Sequence, residues 1–377
     1  MRRLLAGAAA AISLAGAVTA WRNRGYLRRR AAQASIGPTS EPVSVLIPAR
    51  NEERRLPDCL EHLARQRPDC EFEILVYDDG SSDRTQQLVH EWQAANPQVP
   101  LRVLGGREVE PPRGWLGKSW ACWSLARAAR TQTLVFLDAD VRLHDGGLGR
   151  AVAALDALDA DLLSPWPAQE QGSWLGTLIQ PLQMWSWLTT VPLRFGERRG
   201  IPAMALANGQ LLVARAASYF ASGGHAANPS STLDDMDLAR NFRQHGYTTA
   251  VLDGAPLATC RMYDSAGALA DGYAKSLPIA FGSPLRGSLI MAGLGATYVL
   301  PVLLLASRDR PTRALAATAL AGAVAGRLAA TRDEPATQAL GHPLGISALI
   351  WVFGRAVRLN RRGATQWQGR AVAPSRG

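Results

Sequence analysis

Lysine is nearly missing from this chain. Of its 41 basic residues only Lys118 and Lys275 are lysine. Arginine stands wherever either residue would serve, so each retained lysine marks a site that wants a compact ammonium or a chance survivor. Acidic residues are missing from both ends. Residues 1–30 hold seven arginines and residues 355–377 hold six, with no Asp or Glu in either stretch, so a net charge of +10 resolves into +13 at the termini and −3 between them. A nucleic-acid binder carries its positive charge on the folded body, and this distribution excludes that class. Basic tails beside apolar segments point instead to anionic lipid head groups. Cysteine is scarce too: Cys59, Cys70, Cys122 and Cys260 form no C-x-x-C and no metal-ligand spacing, and they read as ordinary reduced thiols without a role. No internal repeat is present, and no low-complexity tract beyond an alanine bias.

What is present suits a mixed protein. The 377 residues are enough for a substantial core, and 47% apolar with 19% charged residues is neither a disordered composition nor a bundle of spanning helices alone. Leu4–Ala20 is an apolar run long enough to span a bilayer, with Arg2 and Arg3 before it and five arginines after it. Val18-Thr19-Ala20 also fits a signal cleavage site, but basic flanks stay cytoplasmic, which favours a retained anchor. From Val43 onward, β-rich runs alternate with helical stretches: Val43–Ile47, Glu71–Tyr77, Leu101–Leu104 and Thr133–Leu137. This alternation predicts a parallel, doubly wound α/β sheet whose ligand loops lie at the strands' carboxyl ends. After Arg286 the texture turns apolar. Ser288–Ala306 is uncharged and long enough to span, while Ala314–Ala330 and Leu340–Val357 are interrupted by polar residues. The Trp-rich stretch Trp174–Leu193 fits either a membrane interface or a core helix and loop. The expected divisions are 1–30 anchor and basic flank, 41–285 catalytic domain, 286–357 transmembrane region and 358–377 basic tail.

Three acidic clusters follow one another, expected at strand ends: Asp78-Asp79, Asp138 with Asp140, and Asp234-Asp235. One Asp pair after a strand is an ordinary turn or helix cap. Three in register with a βα pattern suit a hard cation, Mg²⁺ or Mn²⁺, held by one or two carboxylates and substrate phosphates. Four stretches then carry a resemblance: Pro48-Ala49-Arg50-Asn51-Glu52-Glu53, Tyr77-Asp78-Asp79-Gly80-Ser81-Ser82-Asp83-Arg84-Thr85, Phe136-Leu137-Asp138-Ala139-Asp140 and Leu233-Asp234-Asp235-Met236-Asp237-Leu238. In order and spacing, over about residues 43–260, the chain resembles the inverting glycosyltransferases of family 2.

That resemblance implies a GT-A fold, a Rossmann-like doubly wound mixed sheet, here flanked by N-terminal and C-terminal transmembrane helices. It implies that Pro48, Arg50, Asn51, Glu52, Asp78 and Asp79 bind the nucleotide-sugar donor, with Asp79 on the base. Asp138 and Asp140 match the D-x-D pair, Asp140 as direct metal ligand and Asp138 near the ribose. Asp235 matches the general base. Asp234 precedes it where the family has Glu, a shorter side chain. Narrower signatures, Gly114-Trp115-Leu116-Gly117-Lys118, Ala207-Asn208-Gly209-Gln210, Gly223-Gly224-His225, Arg261-Met262-Tyr263 and Gly272-Tyr273-Ala274-Lys275, are similar to the membrane-bound subgroup near carotenoid and hopanoid biosynthesis. They imply Lys118 on the donor phosphates and Gly209, Gln210 and Arg261 on the acceptor side. His225 reads as a turn histidine and is left out of the site. The Gln-x-x-Arg-Trp signature of processive members is absent, which implies single transfer rather than polymerisation.

The expectation is thus a membrane enzyme with a lipid or isoprenoid acceptor and a divalent metal. It would be multi-pass in the cell (inner) membrane, with its catalytic domain facing the cytoplasm where donor sugars are made. A soluble or polysaccharide acceptor and a non-catalytic membrane scaffold are the alternatives. A nucleotidyltransferase is disfavoured, because the loop after the first strand is too acidic to cradle a triphosphate.

Overall fold

In the computed structural model, which describes residues 1–34, 41–66, 71–331, 334–361, 366–367 and 370–371, seven strands form one sheet. Its strands are β1 (Val43–Ala49), β2 (Phe72–Asp78), β3 (Leu101–Gly105), β4 (Thr133–Leu137), β6 (Leu162–Trp166), β8 (Leu211–Arg215) and β9 (Thr249–Asp253). The short strands β5 (Val141–Leu143), β7 (Ala168–Gln169) and β10 (Ala258–Cys260) make a second, three-stranded sheet. Residues 27–170 and 194–262 form this α/β unit, and residues 1–26, 171–193 and 263–377 form a second, helical unit.

The main sheet runs β3-β2-β1-β4-β8-β6-β9. The first four of these are parallel, as the βα alternation predicts. The next is not: β8 is antiparallel to both β4 and β6. The sheet is therefore mixed rather than wholly parallel. The strands read as near-continuous apolar runs because both faces are covered. Val45, Ile47, Ile74, Val76, Val135 and Leu137 face one core with Leu56, Leu60 and Leu63 of helix Leu56–Ala64. Leu46, Leu75, Leu134 and Phe136 face the other, with Leu125 of helix Gly117–Ala128 and Phe242 of helix Asp234–Gln244. Strand order reverses about β1 and β4, so the crevice beyond their carboxyl ends is where an open α/β sheet binds ligands. β1, β2 and β4 end there, at Ala49, Asp78 and Leu137.

The helical unit is built on small residues. A Cβ added to Gly322 would meet Ser13 at 3.0 Å, and one on Gly326 would meet Ala17 at 3.5 Å, so two helices approach through an Ala/Gly stripe, as membrane helices do. Arg24 donates to the carbonyl of Leu328 at 2.8 Å. Arg327, 1% exposed, is paired with Glu334. Among the described residues two helical runs, Arg2–Ala34 and Pro284–Leu304, are long and apolar enough to cross a membrane. The apolar stretches Ala314–Ala330 and Leu340–Val357 are helical (Arg310–Ala330 and His342–Arg361) without reaching that standard. Leu4, Trp21, Leu285, Leu289, Leu303, Leu344 and Trp351 stand exposed on this unit. The Trp-rich stretch forms helices Trp174–Ile179 and Pro181–Thr190 there, with Trp174 exposed and Trp185 buried against Tyr298 and His342.

Candidate active site

Two loops leave neighbouring strands and are laced together. After β1, the Asn51 N–H donates to Ser81 Oγ at 3.0 Å and the Glu52 N–H to Thr85 Oγ1 at 2.8 Å. In return the Ser82 N–H donates to Asn51 Oδ1 at 2.8 Å and the Arg84 N–H to Glu53 Oε2 at 3.1 Å. Asn51 holds a left-handed φ of 54°, a conformation its short polar side chain tolerates. The Arg50 guanidinium donates to the Asp79 carbonyl and lies 3.6 Å from its carboxylate. Pro48 is the penultimate residue of β1, in register with Tyr77 of β2. Of the expected donor-binding residues, Pro48, Arg50, Asn51, Glu52, Asp78 and Asp79 thus sit together at the ends of β1 and β2. Asp78 Oδ1 accepts from the Ser81 N–H, while its Oδ2 is buried with no hydrogen-bond partner.

The second group gathers beyond β4. Lys118 is the second residue of helix Gly117–Ala128, and its ammonium lies 2.8 and 3.0 Å from the two carboxylate oxygens of Asp138. Burial opposes the charge on Lys118, but Asp138 and Asp234 outweigh it and hold the ammonium well above its ordinary range. Loss of solvation pushes Asp138 up to about 6, against the pull of Lys118. The Gly209-Gln210 dipeptide bridges two acids. The Gly209 N–H donates to Asp235 Oδ2 at 2.8 Å, and the Gln210 carbonyl accepts the Asp138 N–H at 3.0 Å. The Gln210 side chain is buried and tied to Gln169 and Asn208.

Asp234 and Asp235 are not at a strand end, as the motif spacing suggested. They open helix Asp234–Gln244 after a loop, where helix N-termini favour acids. Asp235 Oδ1 accepts the Met236 N–H at 2.7 Å. Loss of solvation, with Asp234 beside it, pushes Asp235 up to about 6. Arg261 follows β10, and its N–H faces the Asp140 carbonyl at 3.3 Å.

Asp140 Oδ1 is buried without a hydrogen-bond partner. An orphaned carboxylate oxygen is costly unless a cation or donor meets it. Among the described residues no group of three or more His, Cys, Asp and Glu could hold a metal ion by itself. Ions shared with substrate phosphates need only one or two carboxylates, so this donor set fits such an ion. Cys59, Cys122 and Cys260 are buried free thiols, and burial pushes each above its ordinary range. Cys70 and residues 362–365 lie outside the described residues, as does the side chain of Lys275.

One neighbour of the site was not expected. His225 lies in the turn where the sequence places it, but it is buried and aimed at Asp234, with Nε2 3.8 Å from Asp234 Oδ2. The only signal for it was the Gly223-Gly224 pair before it.

Residues 44–200 match the model of glycosyl transferase family 2. The chain is 28% identical over 256 residues to a 4,4'-diaponeurosporenoate glycosyltransferase of Staphylococcus haemolyticus, covering 64% of this chain and 63% of that protein. It is 24% identical over 249 residues to the protein of the same name in Staphylococcus aureus, covering 62% and 60%. The chain therefore spans a little under two thirds of the length of these curated relatives. A mannosyltransferase from Pyrobaculum calidifontis, solved with GDP-Man and Mn²⁺, shares the fold with a TM-score of 0.57 at 18% identity, over 96% of this chain and 99% of that one. This protein carries a family 2 glycosyltransferase domain.

Proposed function

We propose that the protein is a membrane-bound, inverting glycosyltransferase that moves single sugars from a nucleotide-sugar donor to a lipid or isoprenoid acceptor of carotenoid or hopanoid type. The observation that carries this reading is the Gly209-Gln210 dipeptide, which ties Asp235 to Asp138 through adjacent backbone groups. Inversion needs a base on one face of the anomeric carbon and charge neutralisation of the leaving diphosphate on the other, and this dipeptide spaces the two. In this reading Asp235 takes the acceptor's O–H proton. A carboxyl near 6 is ionised at neutral pH yet more basic than an ordinary aspartate, and a positioned base contributes about 10²–10⁴-fold. Lys118 supplies positive charge beside Asp138, on the donor side. The laced loops after β1 and β2 hold the nucleoside, with Asp79 on the base. Asp140 is the residue left to hold a divalent ion, since Lys118 already engages both oxygens of Asp138. Such an ion, when bound, neutralises charge on the departing phosphates.

The lipid acceptor rests on two supports. The helical unit exposes large apolar side chains and includes two candidate spans, which chemistry on a soluble acceptor does not need. The Staphylococcus relatives are named for an apolar, isoprenoid-type acid. We place the protein in the cell membrane, its catalytic face toward the cytoplasm. The test incubates detergent-solubilised protein with labelled UDP-glucose, UDP-N-acetylglucosamine or GDP-mannose and total membrane lipid, then extracts with organic solvent. Label in the organic phase is expected. Donor turnover with all label left in water rejects the lipid acceptor, and no turnover of any donor with any metal supports a scaffold.

A further inference from the structure

The hydrogen bonds around His225 favour one tautomer. Its backbone N–H donates to the Tyr219 hydroxyl oxygen at 3.2 Å, leaving that hydroxyl's proton free for the ring. The hydroxyl lies 2.8 Å from Nδ1, and the arrangement that uses its proton has the hydroxyl donating and Nδ1 accepting. In a neutral imidazole the hydrogen then sits on Nε2, and Nε2 is the atom that faces Asp234 Oδ2 at 3.8 Å. That separation is longer than a hydrogen bond and acts as an ion–dipole contact. Such contacts commonly tighten when substrate fills a site.

The surroundings are built for this arrangement. Gly224 holds a φ of +49°, and a Cβ on it would sit 2.5 Å from the Tyr219 ring, so only glycine lets the turn close over the tyrosine. Phe136 and Tyr219 wall the imidazole, with ring centroids 5.2 and 5.7 Å away. Burial keeps His225 neutral, pulling it down to about 4 although Asp234 works the other way.

We propose that His225 is a positioning residue: locked as the Nε2–H tautomer by Tyr219, it holds the Asp234 carboxylate in place beside Asp235. This rests on the reading of Asp235 as the base. The groups that face the acid pair are Lys118 and Cys122 from helix Gly117–Ala128, Asp138 after β4, Tyr219 from helix Ala216–Ala221, His225 from the turn after it and the Gly209 N–H, while Asp237, in the same first turn of the pair's helix, is bonded to Ser231 and Arg240. Lys118 is shared with Asp138, so Asp234 draws on the imidazole N–H as well. Held there, Asp234 adds to the loss of solvation that keeps Asp235 basic.

The test compares His225→Phe, His225→Gln and Tyr219→Phe in the labelled-donor assay, each with its melting temperature. A glutamine places an amide N–H where Nε2 stood; a phenylalanine keeps the ring and loses the donor. His225→Phe is expected to lower kcat about tenfold with donor KM unchanged, and to move the acid limb of kcat to lower pH. His225→Gln is expected to recover a good part of both, and Tyr219→Phe to fall between. Equal behaviour of the Phe and Gln variants, or a Phe variant within twofold of the parent in rate and limb, overturns the proposal. Full turnover by Asp235→Asn overturns the base reading itself, whereas an inactive Asp235→Asn beside a parent-like His225→Phe overturns only the role of His225. A readout free of turnover is ¹⁵N NMR of the histidine rings in the intact protein: Nε2–H on His225 is expected, and Nδ1–H overturns the proposal.

Discussion

Gly117 leaves the space that Asp79 occupies: a Cβ at position 117 would stand 1.9 Å from Asp79 Oδ2. The start of helix Gly117–Ala128 and the end of β2 therefore meet through a missing side chain, and Lys118 reaches Asp138 from the next position.

Gly117→Ala must push Asp79 or the helix start aside. Overpacking of this kind costs about 1–3 kcal/mol, and it falls on a residue expected to hold the donor's base. Donor affinity should drop about tenfold or more, measured by calorimetry with UDP and GDP sugars. Unchanged affinity with lowered stability would place Asp79 outside the donor site.

Lys118→Arg keeps the charge and changes its shape. The ammonium engages both oxygens of Asp138 and sits 3.3 Å from where a Gly209 Cβ would be. A planar guanidinium does not fit that gap in the same pose. The rate should fall about tenfold or more with the protein still folded; a rate within twofold of the parent would make this lysine a chance survivor.

Activity should vanish in excess chelator and return with Mn²⁺ or Mg²⁺. Asp140→Ala should lose both turnover and the metal-dependent rise in melting temperature that a bound donor confers. Full activity in chelator sinks the assignment of Asp140.

The acid limb should belong to Asp235. Turnover is expected to rise with pH through about 6 and then level. Asp235→Asn should bind donor as the parent does, while turnover falls about 10²-fold or more. Stability carries the opposite sign. A carboxyl raised above its unfolded value binds its proton more tightly in the folded protein, so the stability this confers is full below about 4 and is lost as pH rises through about 6. Asp235→Asn has no such loss, and relative to the parent its melting temperature should climb between pH 4 and 7. A parallel pair of melting curves across that range would show that Asp235 is not perturbed.

Much of this protein was legible in order along the chain. Apolar runs ending in Tyr77 and Leu137 read as strands because two-sided burial needs near-continuous apolar side chains. The loops after them read as ligand loops because Asn, Asp, Ser and Gly take up turn geometry locally. Those signals lie within a few residues of one another, so the sequence alone determined them. What it could not determine are contacts between distant segments. That β8 runs antiparallel between β4 and β6 is a matter of pairing between distant segments, Leu137 with Leu211 and Leu163 with Val213, and nothing in Leu211–Arg215 itself states a direction. The acids expected at a third strand end lie on a helix, because DDMDL carries no strand pattern and its placement depends on where the preceding loop docks. Gly209-Gln210 became the link between Asp235 and Asp138 through backbone groups that every residue has. His225 reads from the sequence as a turn histidine rather than a catalyst, and only tertiary packing buried it between Tyr219, Phe136 and Asp234. Residue type decided which chemistry was possible here; the fold decided which groups share it, since a lone carboxylate becomes a base or a metal ligand only through the charges and donors that packing brings to it.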